Sequence, residues 1–267
     1  MRKIIHISDL HFGRVDDKIC SAMLEEIASI NPDVVVVSGD LTQRGRSKEY
    51  KEARNFLTKI SCPKIVVPGN HDIPLFDIFS RFLMPLRRFK KYISEDLDPL
   101  YVDSELVVYG INTARSLTWK NGRISIEQIA VIEKEICVLS NEQFKILVTH
   151  HPFIPPPGTH GIALVGRSKK ALVIIDKCGI DLLLAGHLHY AYSGDVRTYY
   201  PLYRRSVISL QAGTAISKRI RAQSQAFNTI VVERNRMEIE IFNWEETKFV
   251  SSRKFEYRKK GDEWITT

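Results

Sequence analysis

Acidic, amide and imidazole side chains follow apolar runs at five places in this 267-residue chain. The residues concerned are Asp9, His11, Asp40, Asn70, His71, His150, His187 and His189. Carboxylate oxygens, amide carbonyls and imidazole nitrogens are ligands for divalent metal ions, and a carboxylate such as Asp40 can bridge two of them. The pattern therefore predicts a site for two divalent cations that needs no thiolate ligand.

The charge of such a site indicates its chemistry. Two divalent ions bring +4, and Asp9 and Asp40 remove two charges. The +2 that remains suits a phosphate ester together with a hydroxide held by the metals. Two neighbouring ions would also activate a bridging water and stabilise an in-line displacement at phosphorus. We therefore expect hydrolysis of a phosphoester.

The elements before these residues must bring them together. Apolar runs over 3–8, 34–37 and 65–67 alternate with segments of helical spacing over 17–30 and 47–60. Strand–helix alternation with runs that are apolar on both faces predicts a largely parallel, buried sheet. Since ligands bind at the carboxyl ends of strands in such sheets, the polar residues lie at the functional edge.

The rest of the chain extends this order. A capping box, Ser125-Ile126-Glu127-Gln128, opens a helix, followed by a strand over 144–149, a helix over 168–178 and a strand over 181–185. Shorter apolar runs at 206–211, 228–233 and 237–243 predict a more antiparallel C-terminal part. We expect one domain over 1–267, with a lid-like insertion at 73–96, a proline-rich loop at 152–166 and a frayed tail at 258–267.

The order and spacing of the motifs resemble those of the calcineurin-like metallophosphoesterases over residues 4 to about 190. The matching blocks are Asp9-x-His11, Gly39-Asp40, Gly69-Asn70-His71-Asp72, His150 and Gly186-His187-Leu188-His189. The resemblance implies an α/β fold, a four-layer α/β/β/α sandwich with mixed sheets. It also implies two divalent ions, for which manganese, iron, zinc and cobalt all stay open.

The same resemblance assigns roles by position. It implies that one metal is held by Asp9, His11, Asp40 and His189, and the other by Asp40, Asn70, His150 and His187. With Asn70, His71 would contact the substrate phosphate, and it would help to protonate the leaving oxygen. In this family the attacking group is a metal-bridging hydroxide.

Two blocks are most similar to the bacterial class III cyclic-nucleotide phosphodiesterases. They are Ile7-Ser8-Asp9-Leu10-His11 and Gly39-Asp40-Leu41-Thr42. A 3′,5′-cyclic nucleotide is therefore the first candidate substrate. The block around Asp40 also resembles that of the phosphoprotein phosphatases, although Gln43 replaces an acidic residue there, and this makes Arg44 a candidate phosphate contact.

The insertion at 73–96 combines aromatic and basic residues. Its positive charges are Arg81, Arg87, Arg88, Lys90 and Lys91, and Pro85 predicts a division into two short helices. Such a lid could grip a lipid phosphate at a membrane surface or a nucleic-acid backbone. An alternative function is therefore a pyrophosphatase acting on a UDP-linked lipid sugar of the UDP-2,3-diacylglucosamine type.

Two further alternatives stay open. A segment without acidic residues, 196–232, contains Arg197, Arg204, Arg205, Lys218, Arg219 and Arg221 and would suit a DNA nuclease. An inactive scaffold is the fourth candidate function, although the complete set of candidate ligands argues against it. The formal net charge of +8 and the pI near 9.3 favour anionic partners of either kind.

Composition and residue spacing restrict the cellular location of the protein and the roles of the remaining histidines. No apolar run approaches the length that crosses a bilayer, and the first residues lack the apolar stretch of a secretory leader. The four cysteines are widely spaced, which predicts neither a disulfide framework nor a cysteine zinc site and favours the cytoplasm, with a membrane-peripheral position as an option. We expect His6 in the core and His151 as support for a ligand, while a role for His160 and the oligomeric state stay open.

Overall fold

The computed structural model describes residues 1–159, 161–162, 164–219 and 224–267, so His160 and Arg221 lie outside the described residues. The helices are α1 (Asp17–Ile30), α2 (Ser47–Leu57), α3 (Ile78–Leu83), α4 (Arg87–Tyr92), α5 (Ile126–Ile136) and α6 (Ser168–Lys177), with 3-10 turns at Asn70–Asp72 and Val196–Thr198. The strands are β1 (Arg2–Ile7), β2 (Val34–Val37), β3 (Lys64–Val66), β4 (Leu100–Val102), β5 (Leu106–Gly110), β6 (Phe144–Val148), β7 (Leu182–Ala185), β8 (Tyr192–Asp195), β9 (Ile208–Gln211), β10 (Ala226–Glu233), β11 (Arg236–Glu245), β12 (Lys248–Lys260) and β13 (Glu263–Thr266).

The strands form two mixed sheets. The first has the order β13-β12-β11-β10-β1-β2-β3, and the second has the order β4-β5-β6-β7-β9-β8. Strands β1, β2 and β3 are parallel, and β10 to β13 are antiparallel. In the second sheet β5, β6, β7 and β9 are parallel, while β4 and β8 are antiparallel to their neighbours. The predicted antiparallel pairing of the C-terminal part is confirmed for β10 to β13, whereas β9 is parallel to β7.

Alternating side chains assign the two faces of each sheet to different layers. Ile4 of β1 packs between the sheets with Val108 and Leu184, whereas Ile5 faces the helices and packs in the cluster that contains Met23 of α1. The outer face of the second sheet packs against α5 and α6 in a third apolar cluster. Because successive residues of a strand point to opposite faces, both faces of β2, β5, β6 and β7 are buried, while β4, β12 and β13 leave many residues exposed. The predicted α/β/β/α sandwich is confirmed.

The insertion has two halves with different surroundings. Pro85 lies between α3 and α4, as the sequence predicts. On α4, Phe89 is fully buried and Leu86 is 7% exposed, so this half packs on the domain. The other half exposes a set of large apolar side chains, here named the α3 apolar patch: Phe76, Ile78, Phe79, Phe82, Leu83 and Met84. The half around α4 therefore contributes to the core, and the half around α3 leaves its large apolar side chains exposed.

The expectation of a frayed tail at 258–267 is wrong. Strand β12 continues to Lys260, and β13 pairs with it in an antiparallel hairpin. Trp264 of β13 is 4% exposed and lies beside the Phe144 ring, with ring centroids 5.6 Å apart. The run of basic residues at 258–260 resembles a solvated tail, but burial of one large indole against the second layer anchors the strand.

The part of the cysteine expectation that concerns disulfides is also wrong. Cys137 and Cys178 form a disulfide across 41 residues of sequence. They follow directly after α5 and α6, which pack side by side, so the helix pairing brings the two sulfurs together. Cysteine spacing therefore gives no support to a reducing compartment. No helix in the described parts of the chain combines the length and apolar character needed to cross a membrane.

Candidate metal centre

Sharp backbone turns follow the strands that lead to the site. Asp9, His11, Asp40, His187 and His189 have φ angles of 53°, 49°, 51°, 72° and 57°. Left-handed backbone is uncommon for residues other than glycine, and it persists where the surrounding structure enforces it, often at functional sites. Here it turns the chain sharply after β1, β2 and β7, so that the polar side chains converge where the two sheets meet.

The turns place carboxylates and imidazoles within a few ångströms of one another. Asp40 Oδ1 lies 3.4 Å from His150 Nε2, and Asp40 Oδ2 lies 3.8 Å from His11 Nε2. Asp9 Oδ1 lies 3.3 Å from His189 Nε2 and 3.7 Å from His11 Nε2. All five side chains are at most 3% exposed.

Two atoms in this cluster test whether metal ions would fit. Asp9 Oδ1 and His11 Nε2 are buried without a hydrogen-bond partner among the described residues. Unpartnered buried polar atoms are costly, and a bound cation would satisfy both. Single ligand atoms of Asp9, His11 and His189 lie within 4.8 Å of one another, and so do those of Asp9, Asp40 and His150. The residues therefore fit two divalent ions with nitrogen and oxygen ligands.

The far side of three imidazole rings is held by hydrogen bonds. His150 Nδ1 donates to Ser38 O at 2.8 Å, His11 Nδ1 lies 3.4 Å from Thr42 O, and His189 Nδ1 lies 2.6 Å from Thr214 Oγ1. Such bonds fix the orientation of metal-binding histidines. In each ring the other nitrogen, Nε2, faces the carboxylates.

The centre has a divided electrostatic character. Burial lowers the pKa of His11 and His187 to about 3, so both rings are neutral and suited to bind metal. Burial alone would also lower the pKa of His150, but the carboxylates of Asp40 and Asp9 raise it to about 9. Burial would raise the pKa of Asp40, yet the charge of His150 keeps it well below its usual range. Without metal, His150 therefore carries the proton that a metal ion would displace.

Asn70 and His71 reach the centre from the 3-10 turn after β3. Asn70 Oδ1 lies 3.2 Å from His150 Nε2, and His71 N donates to Asp40 Oδ1 at 2.8 Å. His187 joins through its backbone, where N donates to Asp9 Oδ2 at 3.0 Å. The structure thus brings all seven candidate metal ligands to one place, with His71 at its border.

Asp72 holds two of the loops together, a role that the sequence reading missed. Its carboxylate accepts hydrogen bonds from the backbone N–H groups of Gly69, Leu41 and Thr42 at 2.9, 3.2 and 2.9 Å. The side chain is fully buried. Its place directly after Asn70-His71 in a motif at a strand end was the available signal, because a buried acid there needs several backbone donors.

Glycines allow the loops to approach this closely. A Cβ atom on Gly69 would lie 2.1 Å from Asp40 Oδ1, and one on Gly186 would lie 1.9 Å from Ser8 Oγ. Neither distance is compatible with a side chain. The glycines of both motifs therefore serve the packing around the two carboxylates.

His151 lies beside the centre but uses both ring nitrogens elsewhere. Nδ1 lies 2.8 Å from Thr113 Oγ1, and Nε2 donates to Lys120 O at 3.0 Å. A Cβ atom on Gly122 would lie 2.0 Å from the ring, so the loop packs directly on it. His151 thus anchors the 113–122 loop to the centre. His6, as expected, is fully buried in the core.

A cavity of about 170 Å³ adjoins the metal centre, and we name it the cationic pocket. It is lined by Gln43, Arg44, Asn70, His71, Ile73, Leu75, Arg81, Trp119, Lys120 and Arg219. His71 Nδ1 donates to Gln43 O at 2.8 Å, and Arg219 Nη1 lies 2.9 Å from His71 Nε2. The candidate contact Arg44 therefore lies beside the site, together with Arg219.

The other described cations of 196–232 have a different setting. Arg197 pairs with Asp195 and Glu263, Arg205 with Asp262, and Lys218 with Asp16. Arg204 is exposed on the surface. The predicted concentration of positive charge is thus largely balanced by acidic residues from neighbouring elements, and Arg219 is the member that reaches the site.

Comparisons with known proteins agree with this geometry. The model of the calcineurin-like phosphoesterase family matches residues 2–191. A probable cyclic nucleotide phosphodiesterase of Vesicomyosocius okutanii is 26% identical over 200 residues, which cover 70% of this chain and 78% of the relative. The glycerophosphodiester phosphodiesterase GpdQ of Enterobacter lignolyticus is 30% identical over 144 residues, covering 46% of this chain and 51% of the relative. The crystal structure of a dimetal phosphatase from Danio rerio has the same fold, with a TM-score of 0.66, 14% identity and coverage of 94% and 98%.

Proposed function

The chain belongs to the calcineurin-like phosphoesterase family and is a metal-dependent phosphoric ester hydrolase, and we propose that its substrates are phosphodiesters, with 3′,5′-cyclic nucleotides first among them. The observation that carries the proposal is the buried cluster in which Asp9 Oδ1 and His11 Nε2 have no hydrogen-bond partner among the described residues. The carboxylate and imidazole atoms of this cluster need a positively charged partner. A neutral apolar ligand would not supply one.

We assign the ligands by their positions. Asp9, His11, Asp40 and His189 would hold one ion, and Asp40, Asn70, His150 and His187 would hold the other. Bound divalent ions of this kind supply activation of water and neutralisation of charge on a phosphoryl group. The chain itself keeps the carboxylates and imidazoles aligned through Ser38, Thr42 and Thr214.

His71 is the proposed proton donor to the leaving oxygen. Its Nδ1–H is fixed by Gln43 O, so Nε2 is the nitrogen that faces the pocket. Because the Arg219 guanidinium is always protonated, it donates to Nε2 in the structure and occupies the place of a proton there. Substrate binding would draw Arg219 onto a phosphoryl oxygen, and Nε2 would then be free to accept the proton released by the attacking water and pass it to the leaving oxygen.

A second candidate substrate, the UDP-linked lipid sugar, is favoured by the α3 apolar patch. Phe76, Phe79 and Leu83 are 65%, 69% and 64% exposed, which is unusual for neighbouring large apolar residues. A cavity of about 890 Å³ is lined in part by Met84 of the patch and by Leu86, Lys90 and Lys91. This combination would suit an acyl chain with anionic headgroups, and it carries the membrane-peripheral option.

The two candidates are separated by changing only exposed residues of the patch. Replacing Phe79→Ser and Leu83→Ser should leave hydrolysis of a small diester unchanged, because neither side chain is in the core. Lipid-linked substrate in mixed vesicles should be cleaved several-fold more slowly if the patch binds it. An unchanged rate on both substrates would remove the lipid candidate.

The two remaining alternatives have less support. A nuclease would need free positive charge along 196–232, where Arg197, Arg205 and Lys218 are paired with acidic groups. A scaffold without activity would not need the full set of seven candidate ligands. Each of these two alternatives predicts a different result in the substrate panel.

A substrate panel with manganese-loaded protein tests the proposal. The panel contains a 3′,5′-cyclic nucleotide, bis(p-nitrophenyl) phosphate, a UDP-linked lipid and single-stranded DNA, and Asp40→Asn is the matched control. We expect cleavage of the cyclic nucleotide and the aryl diester by the wild type and loss of both in the variant. Cleavage of none of the four would favour the scaffold, and preferred cleavage of DNA would favour the nuclease.

A further inference from the structure

A buried arginine lies in the wall of the cationic pocket without a counter-charge. Arg81 of α3 is 2% exposed, and its Nη1 and Nη2 donate to Pro74 O and Thr118 O at 3.2 and 3.0 Å. The guanidinium lies 4.1 Å from the centre of the Trp119 ring. Its Nε atom is buried without a hydrogen-bond partner, and no carboxylate of the described residues forms an ion pair with it.

This arrangement is unfavourable for the protein alone. A buried cation loses its hydration, and neutral carbonyls and an aromatic face return only part of that energy. Burial accordingly lowers the pKa of Arg81 below its ordinary value, with no acidic group to oppose it. An anion in the pocket would supply the missing charge.

The other charged residues that line the pocket are also positive. Arg44, Lys120 and Arg219 line it together with Arg81, and none of the described lining residues is acidic. Arg44 is held over the Phe76 ring at 5.1 Å, and Arg219 N donates to Ser217 Oγ at 3.1 Å. Four cations thus surround a space of about 170 Å³.

Hydrogen bonds join one wall of the pocket to the metal centre. Asn70 Nδ2 donates to Trp119 O at 3.3 Å, and His151 Nε2 donates to Lys120 O at 3.0 Å. The loop that carries Trp119 and Lys120 is therefore tied to residues of the centre. A group in the pocket would lie directly beside a phosphoryl group at the metals.

The charge of the scissile group does not account for these cations. Two divalent ions with Asp9 and Asp40 leave +2, which a singly charged diester and a hydroxide ion would neutralise. The pocket adds four positive charges beyond that balance. A 3′,5′-cyclic nucleotide has only its one diester charge, so it brings no further anionic group to the buried Arg81 guanidinium.

We propose that the cationic pocket binds a second phosphoryl group of the substrate, adjacent to the one that is hydrolysed. The proposal rests on the phosphodiesterase function given above and narrows its substrate class. Diesters that bear a further phosphate, such as 5′-phosphorylated dinucleotides, fit both sites, whereas cyclic nucleotides fill the metal centre alone. Trp119, 57% exposed at the rim, can stack on a base or sugar of the same substrate.

The test compares two dinucleotides that differ by one phosphate. ApA has a single diester, and pApA has the same diester with a terminal 5′-phosphate. With manganese-loaded protein, we expect kcat/KM for pApA to exceed that for ApA by about tenfold or more, since charge-assisted hydrogen bonds form only with pApA. Arg219→Gln and Lys120→Gln should each reduce this ratio by about tenfold, and Arg87→Gln, which removes one exposed charge from α4 outside the pocket, should leave it unchanged.

Binding to metal-free protein separates this inference from the proposed function. In the presence of EDTA, calorimetry should detect pApA but not ApA, and Arg219→Gln should abolish the difference. Equal kcat/KM for the two dinucleotides together with equal binding would overturn the second site while leaving phosphodiesterase activity intact. Selective binding of pApA without cleavage of any diester would instead contradict the proposed function and retain the site.

Discussion

The metal centre and the cationic pocket share Asn70 and His71. The centre lacks a positively charged partner, and the pocket lacks a negatively charged one. In the centre, Asp9 Oδ1 and His11 Nε2 are buried atoms that need a cation. In the pocket, Arg81 is a buried cation that needs an anion. Both regions therefore contain buried polar or charged atoms whose unfavourable burial a bound ligand would offset. A substrate that occupies both regions would connect the centre with the pocket. Buried atoms without partners thus mark both places where the folded chain needs a ligand.

The largest effect should come from the residue that joins the two halves of the centre. Asp40→Asn keeps the size of the side chain and removes the charge that faces both His11 and His150. We expect hydrolysis of bis(p-nitrophenyl) phosphate to fall by more than about 100-fold, above the loss that an outer hydrogen-bond partner causes. If the variant bound both metals and kept its rate, the centre would not be the site of reaction.

A smaller loss is expected from a residue that orients a ligand without touching the metal. Thr214→Val removes the hydroxyl that lies 2.6 Å from His189 Nδ1, and manganese affinity should fall by about tenfold. Thr214→Ser retains the hydroxyl and is the matched control. Equal affinities of the two variants in a manganese titration would show that this hydrogen bond does not align the ring.

The proton on His150 predicts opposite pH trends with and without metal. Its pKa of about 9 lies above the unfolded value, so its contribution to stability in the metal-free protein is complete below pH 6.5 and declines as pH rises toward 9. Metal binding displaces the proton, so manganese affinity should rise by about tenfold per pH unit over the same range. Thermal unfolding in EDTA and manganese titrations at pH 6.5, 7.5 and 8.5 measure both, and parallel trends would contradict the assignment.

The smallest effect is expected in the pocket and should spare the centre. Trp119→Leu removes the aromatic face that covers Arg81, an interaction worth about 0.5–2 kcal/mol. We expect a few-fold rise in KM for pApA, with unchanged metal content and an unchanged rate on the aryl diester. Loss of metal in this variant would show that centre and pocket are one structural unit rather than two adjoining sites.

The sequence predicted most of the helices, strands and strand-end polar residues that depend on local residue patterns. The alternation of apolar runs and helical spacing located β1, α1, β2, α2 and α6 to within a few residues, since each is a strongly periodic element. The polar residues after the strands were recognisable for the same reason. Because parallel strands end at a common edge, seven candidate ligands from distant segments were expected together, and the structure brings these side chains there.

Features that depend on packing between distant segments could not be predicted. The Cys137–Cys178 disulfide requires the pairing of α5 with α6, and the C-terminal hairpin depends on where Trp264 lies. The same limit applies to charge: Arg219 and Arg197 look alike in a basic segment, but one reaches His71 and the other pairs with Asp195. The sequence shows Arg81 only as one of five positive charges of the insertion, and its burial depends on the fold.

The most direct test of the account is the number of metal ions bound by the intact chain. Manganese titrated into EDTA-treated protein at pH 8 should bind at two sites per chain, and phosphodiester hydrolysis should appear only in the loaded protein. Hydrolysis at the full rate by protein that contains no metal would contradict the central claim.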